Sequence, residues 1–430
     1  MKQLFLTTFC VILSVSIAIG ETLTIEICRE RAKANFPLIQ QYALIEQTAG
    51  YNISNANKSY LPQFSLVGKA TYQSEVTSLP QGMIDMLANL PKPVNFTTMS
   101  KDQYQVALEI NQTLWDGGNV SAQKKALLAT EALEKQQVEV NLYSLNERVD
   151  QLFFGILLLE EQIKQNKILQ TELQTSFSRL EAYKNNGIAN QSDVDVIKVE
   201  QLNAIQKETE LKNTQLAYRV MLAAFTRSVI DDRTVLLKPI VELNQVVDLS
   251  NKRPELKQFS LQNQLFETQK SMIYATNLPK IGLFLQGGYG RPAFNMFDNS
   301  FNPFYIGGLR LSWNFSGLYS QNANLKKLEL NQKMVDVQRE TFLFNTDLKT
   351  RQQRLEITKL ESVISKDDDI IRLRESIKQS AQAKLENGTL AVSDLIREIN
   401  AENQAKQVKA LHEIQLLVAV YQLKYNINNQ

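Results

Sequence analysis

The sequence contains the same turn motif twice, and no other feature limits its fold as strongly. Asn186-Gly187 and Asn387-Gly388 are each followed, after four intervening residues, by Ser-Asp and an apolar residue. Glycine tolerates the left-handed backbone conformation that ends a helix. A Ser-Asp pair before an apolar run favours a helix start, with the serine hydroxyl accepting a backbone N–H. Each copy therefore predicts the tip of a hairpin of two helices.

Other short motifs recur in the same order around the two tips. Leu61-Pro62 matches Leu278-Pro279, and Trp115-Asp116-Gly117 matches Phe315-Ser316-Gly317. This order predicts an internal duplication in which each copy has a helix, two strands, a long helix, a tip and another helix. The predicted boundaries are a signal peptide at 1–20, a first repeat at 21–230 with strands 62–75 and 102–115 and tip 183–193, a linker at 231–253, and a second repeat at 254–430 with strands 279–291 and 304–316 and tip 384–394. Residues 76–100 are predicted to form a long loop.

The leader and the overall composition argue against several classes of protein. Lys2 and the apolar run from Leu4 to Ile19 indicate a secretory signal peptide, and no later apolar run is long enough for a transmembrane helix. Lysine and arginine total 47 against 45 acidic residues, so no basic excess indicates nucleic-acid binding. His412 is the only histidine, which argues against a histidine-based site. No catalytic residue, metal or cofactor is predicted, and Cys28 would be the only cysteine after cleavage.

The predicted strands alternate apolar and polar side chains, as in Tyr104, Val106 and Leu108. Such alternation fits a soluble antiparallel sheet, and it also fits a β-barrel with lipid outside and water inside. Four strands are fewer than the roughly eight that a barrel needs to close, so a barrel would take strands from several chains; three chains would supply about twelve. The candidates for aromatic girdles at the membrane surfaces are Trp115, Tyr289, Tyr305, Trp313 and Phe315.

The long helical segments carry apolar residues at three- and four-residue spacing, among them Leu348, Leu355 and Leu360. Such stripes favour coiled-coil packing between neighbouring helices, although an ordinary helical bundle shows the same pattern. The residues alone leave two functions open: a membrane channel built from several chains, and a soluble or surface-associated structural coiled-coil protein with a small β domain. An enzyme is a further alternative, but no residue pattern indicates a particular reaction.

The ordered duplication, the Leu-Pro pairs and the tips from Gly187 to Val194 and from Gly388 to Leu395 closely resemble TolC-type outer membrane efflux proteins. The resemblance implies an α+β membrane protein. Four strands per chain would complete a trimeric twelve-stranded β-barrel, and long coiled-coil hairpins would form a periplasmic α-barrel. It implies a non-enzymatic homotrimeric exit channel of the bacterial outer membrane, extending into the periplasm, for efflux or type I secretion. The implied partners are a periplasmic adaptor (membrane fusion protein), an inner-membrane pump or ABC transporter, and outer-membrane lipid.

The resemblance also implies site residues by position. Asp394 matches an acidic ring at the periplasmic entrance constriction, and Asp193 is its first-repeat counterpart. Where such relatives carry a second aspartate this chain has Arg397, so an Asp–Arg pair one helical turn apart would neutralise the site. Either aspartate could instead serve only to stabilise a helix N-terminus. The tip residues that would contact the adaptor are Gly187, Ile188, Ala189, Gly388, Thr389 and Leu390.

Overall fold

The computed structural model describes residues 22–91, 99–240 and 251–428. The predicted signal peptide and residues 241–250 of the predicted linker lie outside these ranges. The elements in chain order are β1 (Thr22–Leu23), α1 (Ile25–Asn35), a 3₁₀ turn (Pro37–Gln40), α2 (Gln41–Lys58), β2 (Gln63–Tyr72), α3 (Gln81–Ala88), β3 (Asp102–Trp115), α4 (Asn119–Asn185), α5 (Gln191–Thr226), β4 (Val235–Leu236), α6 (Pro254–Thr276), β5 (Lys280–Arg291), β6 (Asn302–Ser312), α7 (Ser316–Glu386) and α8 (Val392–Ile427).

The described chain divides into two compact units. The sheet unit comprises Gln41–Gln137 and Glu255–Glu340, and the helical unit comprises the described parts of Met1–Gln40, Val138–Pro254 and Thr341–Gln430. Helices α4 and α7 each contribute residues to both units. The predicted α+β fold, with long helices and few strands, is confirmed.

The sheet unit contains one four-stranded antiparallel sheet in the order β2-β3-β5-β6. The first repeat supplies the hairpin β2–β3, the second supplies β5–β6, and the two hairpins pair through β3 and β5. One row across all four strands runs through Leu66, Leu108, Gly287 and Tyr305. Because directly opposed residues share a face, the alternation in each strand places the apolar positions of the whole sheet on one side.

Gly288 in β5 illustrates why this strand is rich in glycine. A Cβ added there would lie 2.7 Å from the ring of Phe304 and would also meet the backbone of β3. Phe304 is itself buried and packs edge-to-face against Phe294, with ring centroids 4.9 Å apart. Glycine therefore lets an aromatic ring lie directly on the strand.

The segment predicted as a loop at 76–100 contains a helix, so that prediction is wrong in part. Helix α3 occupies Gln81–Ala88, with Pro80 at its N-cap position. Met83, Ile84 and Leu87 recur at helical spacing. The helix has only about two turns and lies between two prolines. A segment this short does not show enough periodicity to distinguish a helix from an apolar loop.

The helical unit has its main core where α1, α4, α5 and α8 meet. Phe153 and Phe154 of α4 are among its largest fully buried side chains. Cys28 lies in the same core and is buried. Arg29 donates two hydrogen bonds to Asp150, at 2.7 and 2.5 Å, so this buried charge has a paired, bidentate partner.

A two-residue parallel pair, β1 with β4, contributes two side chains to this core. It places Leu23 opposite Leu236, and both side chains are buried. The pair lies partly in the predicted linker and was not predicted, because two residues are too few to show alternation.

Candidate functional site

Both tips end their first helix in the same way. The backbone φ is +75° at Gly187 and +69° at Gly388, which confirms the predicted left-handed conformation. The N–H of Ile188 donates to the carbonyl of Tyr183 at 2.8 Å, and that of Thr389 donates to Lys384 at 2.9 Å. In each bond the N–H lies five positions after the carbonyl that accepts it. The bond gives a partner to a carbonyl that a helix end otherwise leaves without one.

The start of the second helix differs between the tips, and the prediction of serine caps is wrong. Asn190 caps α5: its side chain accepts from the N–H of Asp193 at 3.0 Å, while the Asp193 carboxylate accepts from the N–H of Asn190 at 3.1 Å. Ala391 occupies the cap position of α8 and makes no side-chain cap bond. Ser192 and Ser393 lie inside the first helical turn, because each helix begins before its serine.

The two tips share one hydrophobic core, to which α4, α5, α7 and α8 all contribute. Its most buried members include Leu173, Leu180, Ile197, Leu395 and Ile399. Ala189 and Leu390, from the tip segments themselves, pack against this core. Ile188 does not: its side chain is 71% exposed. Of the predicted adaptor residues, Ala189 and Leu390 are therefore packed, whereas Ile188, Thr389 and the two glycines are exposed.

The two counterpart aspartates have different surroundings. Asp193 is held in the capping interaction at the start of α5. Asp394 lies 3.1 Å from the guanidinium of Arg397, one turn later on α8. Asp394, Arg397 and Leu390 line an open cleft of about 360 Å³ between α7 and α8. Each carboxylate is thus already engaged within the chain.

A charge network next to the tip core joins three helices, and the sequence did not predict it. Lys378 of α7 forms ion pairs with Glu172 of α4, at 2.7 Å, and with Glu402 of α8. Lys406 lies 2.5 Å from Glu402 and 3.0 Å from Glu375. Glu402 is only 4% exposed. No local signal could have revealed these partners, since Glu172 and Lys378 are far apart in the sequence.

The titration of this network follows from its geometry. Burial alone would raise the pKa of Glu402, but hydrogen bonds from Lys378 and Lys406 outweigh burial and hold that pKa below its usual range. Burial alone would lower the pKa of Lys378, but hydrogen bonds to Glu172 and Glu402 raise it instead. The charged forms of Glu402 and Lys378 are therefore favoured.

The sheet unit exposes a continuous apolar face. Leu66 is 74% exposed and Tyr305 is 82% exposed, although both lie in the middle of strands. Other large apolar side chains on this face are Phe64, Val106, Leu108, Leu283, Leu285, Leu309 and Leu311. Within the described residues, the outer strands β2 and β6 each pair on one side only. This face and these edges have no covering element in the described chain.

The predicted girdle aromatics lie towards opposite ends of the sheet. Trp115, Trp313 and Phe315 lie at the helix end, where α4 and α7 begin. Tyr289 and Tyr305 lie towards the loop end, which carries α3 and the β5–β6 loop. The ring centroids of Trp313 and Phe315 are 4.6 Å apart.

The loop end also carries two aromatic residues, Tyr104 and Phe301, that were not among the predicted girdle residues. Phe301 stacks on Tyr289 with centroids 5.8 Å apart and on Tyr104 at 6.5 Å. Arg291 lies over the rings of Tyr104 and Phe301 and pairs with Asp102. Tyr104 was available from the strand alternation, whereas Phe301 lies in a loop where no periodicity indicates direction.

No helix in residues 22–91, 99–240 or 251–428 is both long enough and apolar enough to cross a membrane. In the same ranges, no group of three or more histidine, cysteine, aspartate or glutamate side chains is placed to hold a metal ion.

Comparison with known proteins identifies a matching family model and solved structures with a similar fold. Residues 28–226 match the family model described as outer membrane efflux protein. The solved outer-membrane channel OprN has a TM-score of 0.68 and 14% identity over 94% of this chain and 90% of that one. VceC of Vibrio cholerae gives 0.63 and 14% over 93% and 94%. The open MtrE channel of Neisseria gonorrhoeae gives 0.62 and 13% over 94% and 88%.

No curated protein sequence matches the chain. The matched family and the structural neighbours are channel proteins, not enzymes. The family match over residues 28–226 and the fold shared over nearly the whole chain confirm its resemblance to the outer membrane efflux protein family.

Proposed function

We propose that three copies of this chain form a passive exit channel in the bacterial outer membrane. The channel receives substrates from an inner-membrane pump or ABC transporter through a periplasmic adaptor and releases them outside the cell. Energy comes from the inner-membrane partner. The match of residues 28–226 to the outer membrane efflux protein family model supports this proposal, and one structural observation carries it.

That observation is the exposed apolar face of the sheet. Isolated exposed apolar residues are ordinary on soluble proteins, but a contiguous face of this size marks a contact with lipid or protein. Leu66, Leu108 and Tyr305 lie in one row across the sheet and are all exposed. Contact with lipid acyl chains would remove such a face from water.

The number of strands supports several copies. Lipid offers no hydrogen-bond partners, so each open strand edge would cost several kcal/mol for every backbone group left without one. The outer edges of β2 and β6 therefore need partners from other chains. Four strands are too few to close on themselves, whereas three copies supply about twelve, enough to enclose a water-filled bore.

The length of the apolar face agrees with a bilayer. From Ile281 to Tyr289 the strand β5 advances eight residues, or about 26 Å at roughly 3.3 Å per residue. A barrel strand tilts by about 40°, which leaves a band about 20 Å tall, close to the roughly 25 Å band of outer-membrane barrels. Trp115, Trp313 and Phe315 would mark one surface of the membrane, and Tyr289 and Tyr305 the other.

In the same proposal the tips form the periplasmic entrance. Ile188 is the most exposed apolar tip side chain, so it is the strongest candidate for contact with the adaptor, together with Gly187, Ala189, Gly388, Thr389 and Leu390. Asp394, Arg397 and Asp193 would line the constriction. Since Asp394 is paired with Arg397, this constriction would carry little net charge from that position.

Fractionation of cells that express the chain tests the proposal. We expect the mature protein in the outer-membrane fraction as a trimer that survives an unheated detergent gel and dissociates on heating. The purified trimer should also conduct ions across a planar lipid bilayer. A detergent-independent soluble monomer without conductance would contradict the proposal and favour a structural coiled-coil protein.

A further inference from the structure

The polar face of the sheet carries an unbalanced set of charges. Lys69, Lys280 and Arg310 lie at strand positions on the face opposite the apolar one. Glu109 is the one acidic residue at such positions in the four strands. The paired Asp102 and Arg291 do not change this balance, because they share the apolar register with Tyr72 and Tyr104. Each copy of the sheet thus presents a net excess of two positive charges on its polar side.

The three cations are available to a solute. Lys69, Lys280 and Arg310 are exposed, and in the described part of the chain none of them forms an ion pair with a carboxylate. Arg310 lies over the ring of Phe284, with its guanidinium carbon 4.6 Å from the ring centroid. This stacking fixes the charge against the sheet without neutralising it.

Glu109 is too far along the strands to cancel these charges. It pairs across the sheet with Gln286, whose amide donates to it at 3.2 Å, whereas Arg310 pairs with Gly282, four residues earlier on β5. Four residues of strand span about 13 Å, and charges in contact with water are largely screened beyond about 8 Å at physiological salt. The basic levels therefore act separately from the acidic one.

We propose that this face makes the channel selective for anions, so that the substrates it passes best are anionic molecules. The inference rests on the proposed function, in which the polar face lines the bore. Three copies would place Lys280 and Arg310 in one basic ring at the helix end and Lys69 in another towards the loop end. Rings of lysine and arginine favour anions in a pore by direct attraction and by raising their local concentration.

Reversal potentials across planar bilayers test this inference. Under a potassium chloride gradient the wild-type channel should be more permeable to chloride than to potassium. Removing the helix-end ring with Lys280→Gln and Arg310→Gln together should lower the chloride-to-potassium permeability ratio roughly twofold or more. Glu109→Gln should raise it. The matched control is the charge-conserving pair Lys280→Arg and Arg310→Lys, which should leave the ratio unchanged.

The possible outcomes separate the two proposals. A wild-type protein that forms no conducting channel would overturn the proposed function. A conducting wild-type channel that prefers potassium, or a ratio that does not respond to loss of the two helix-end cations, would overturn anion selectivity and leave the channel proposal standing. A gradient of potassium with a larger organic anion in place of chloride would extend the same measurement to candidate substrates.

Discussion

The two tip glycines hold a backbone conformation that other residues adopt only at a cost. A Cβ added at Gly187 or Gly388 would meet no atom within 4 Å, so crowding does not explain their identity. The positive φ does, because the left-handed region costs a residue with a side chain about 1–2 kcal/mol. Glycine therefore fixes the point at which each long helix ends.

Gly187→Ala should lower the free energy of unfolding by about 1 kcal/mol, because alanine would have to occupy the left-handed region. Gly50→Ala is the matched control: Gly50 lies inside α2, and its added Cβ also meets nothing within 4 Å. That change should raise the free energy of unfolding by about 0.5–1 kcal/mol. Urea denaturation followed by circular dichroism measures both. Changes of the same sign in the two variants would contradict the conformational argument.

At the scale of the elements, one buried carboxylate ties helices together beside the tips. Glu402 of α8 pairs with Lys378 of α7, which in turn pairs with Glu172 of α4. The pKa of Glu402 lies below its usual range because hydrogen bonds from Lys378 and Lys406 outweigh the effect of burial. A carboxyl whose pKa falls on folding stabilises the fold above its unfolded pKa, and this stability is lost as the pH falls through the folded pKa.

Glu402→Gln should therefore lower the free energy of unfolding most at neutral pH, by about 2 kcal/mol, because Lys378 and Lys406 lose a buried, charged partner. The difference from wild type should shrink as the pH falls below the ordinary glutamate pKa, about 4.3, and should vanish once the pH has passed through the lower pKa of the folded Glu402 carboxyl. Melting temperatures between pH 3 and pH 7 measure this. Glu361→Gln, an exposed position on α7, is the control and should have no effect. A pH-independent difference for Glu402→Gln would show that its charge is not the cause.

At the scale of the whole molecule, the two faces of the sheet would have different surroundings in the proposed assembly. Leu66 and Ser65 are neighbours on β2 and project to opposite faces, since Leu66 pairs with Leu108 and Ser65 with Glu109. In the proposed trimer the first faces lipid and the second faces water. The same substitution at the two positions therefore separates membrane insertion from general folding.

Leu66→Arg should reduce the amount of heat-modifiable trimer in the outer-membrane fraction, because arginine on a lipid-facing strand costs up to about 2–4 kcal/mol, depending on its depth in the bilayer, and the trimer carries three copies. Ser65→Arg adds the same side chain beside Glu109 and should leave the trimer yield near wild type. Equal yields from the two variants would contradict lipid contact at the apolar face.

Sequence patterns predicted the faces of the sheet and the positions of the tips, but not every local detail. Alternation through Val106 and Leu108 gave the apolar side of β3, which the register then aligned with Gly287 and Tyr305. The capping serines were predicted wrongly, because each helix begins one residue before its serine and leaves Asn190 and Ala391 at the cap positions. Local pattern cannot decide between neighbouring cap residues when each could start the helix.

By itself the sequence determined the local backbone of this protein: glycine at each tip, strand alternation and proline-free long helices. These properties depend on residues within a few positions of one another. Only the tertiary structure decided which distant residues meet, such as Glu172 with Lys378 and Leu23 with Leu236. It also decided that Lys69, Lys280 and Arg310 share one face. The physical reason is that such partners belong to separate helices and strands, whose packing and register bring together side chains that carry no local signal of each other.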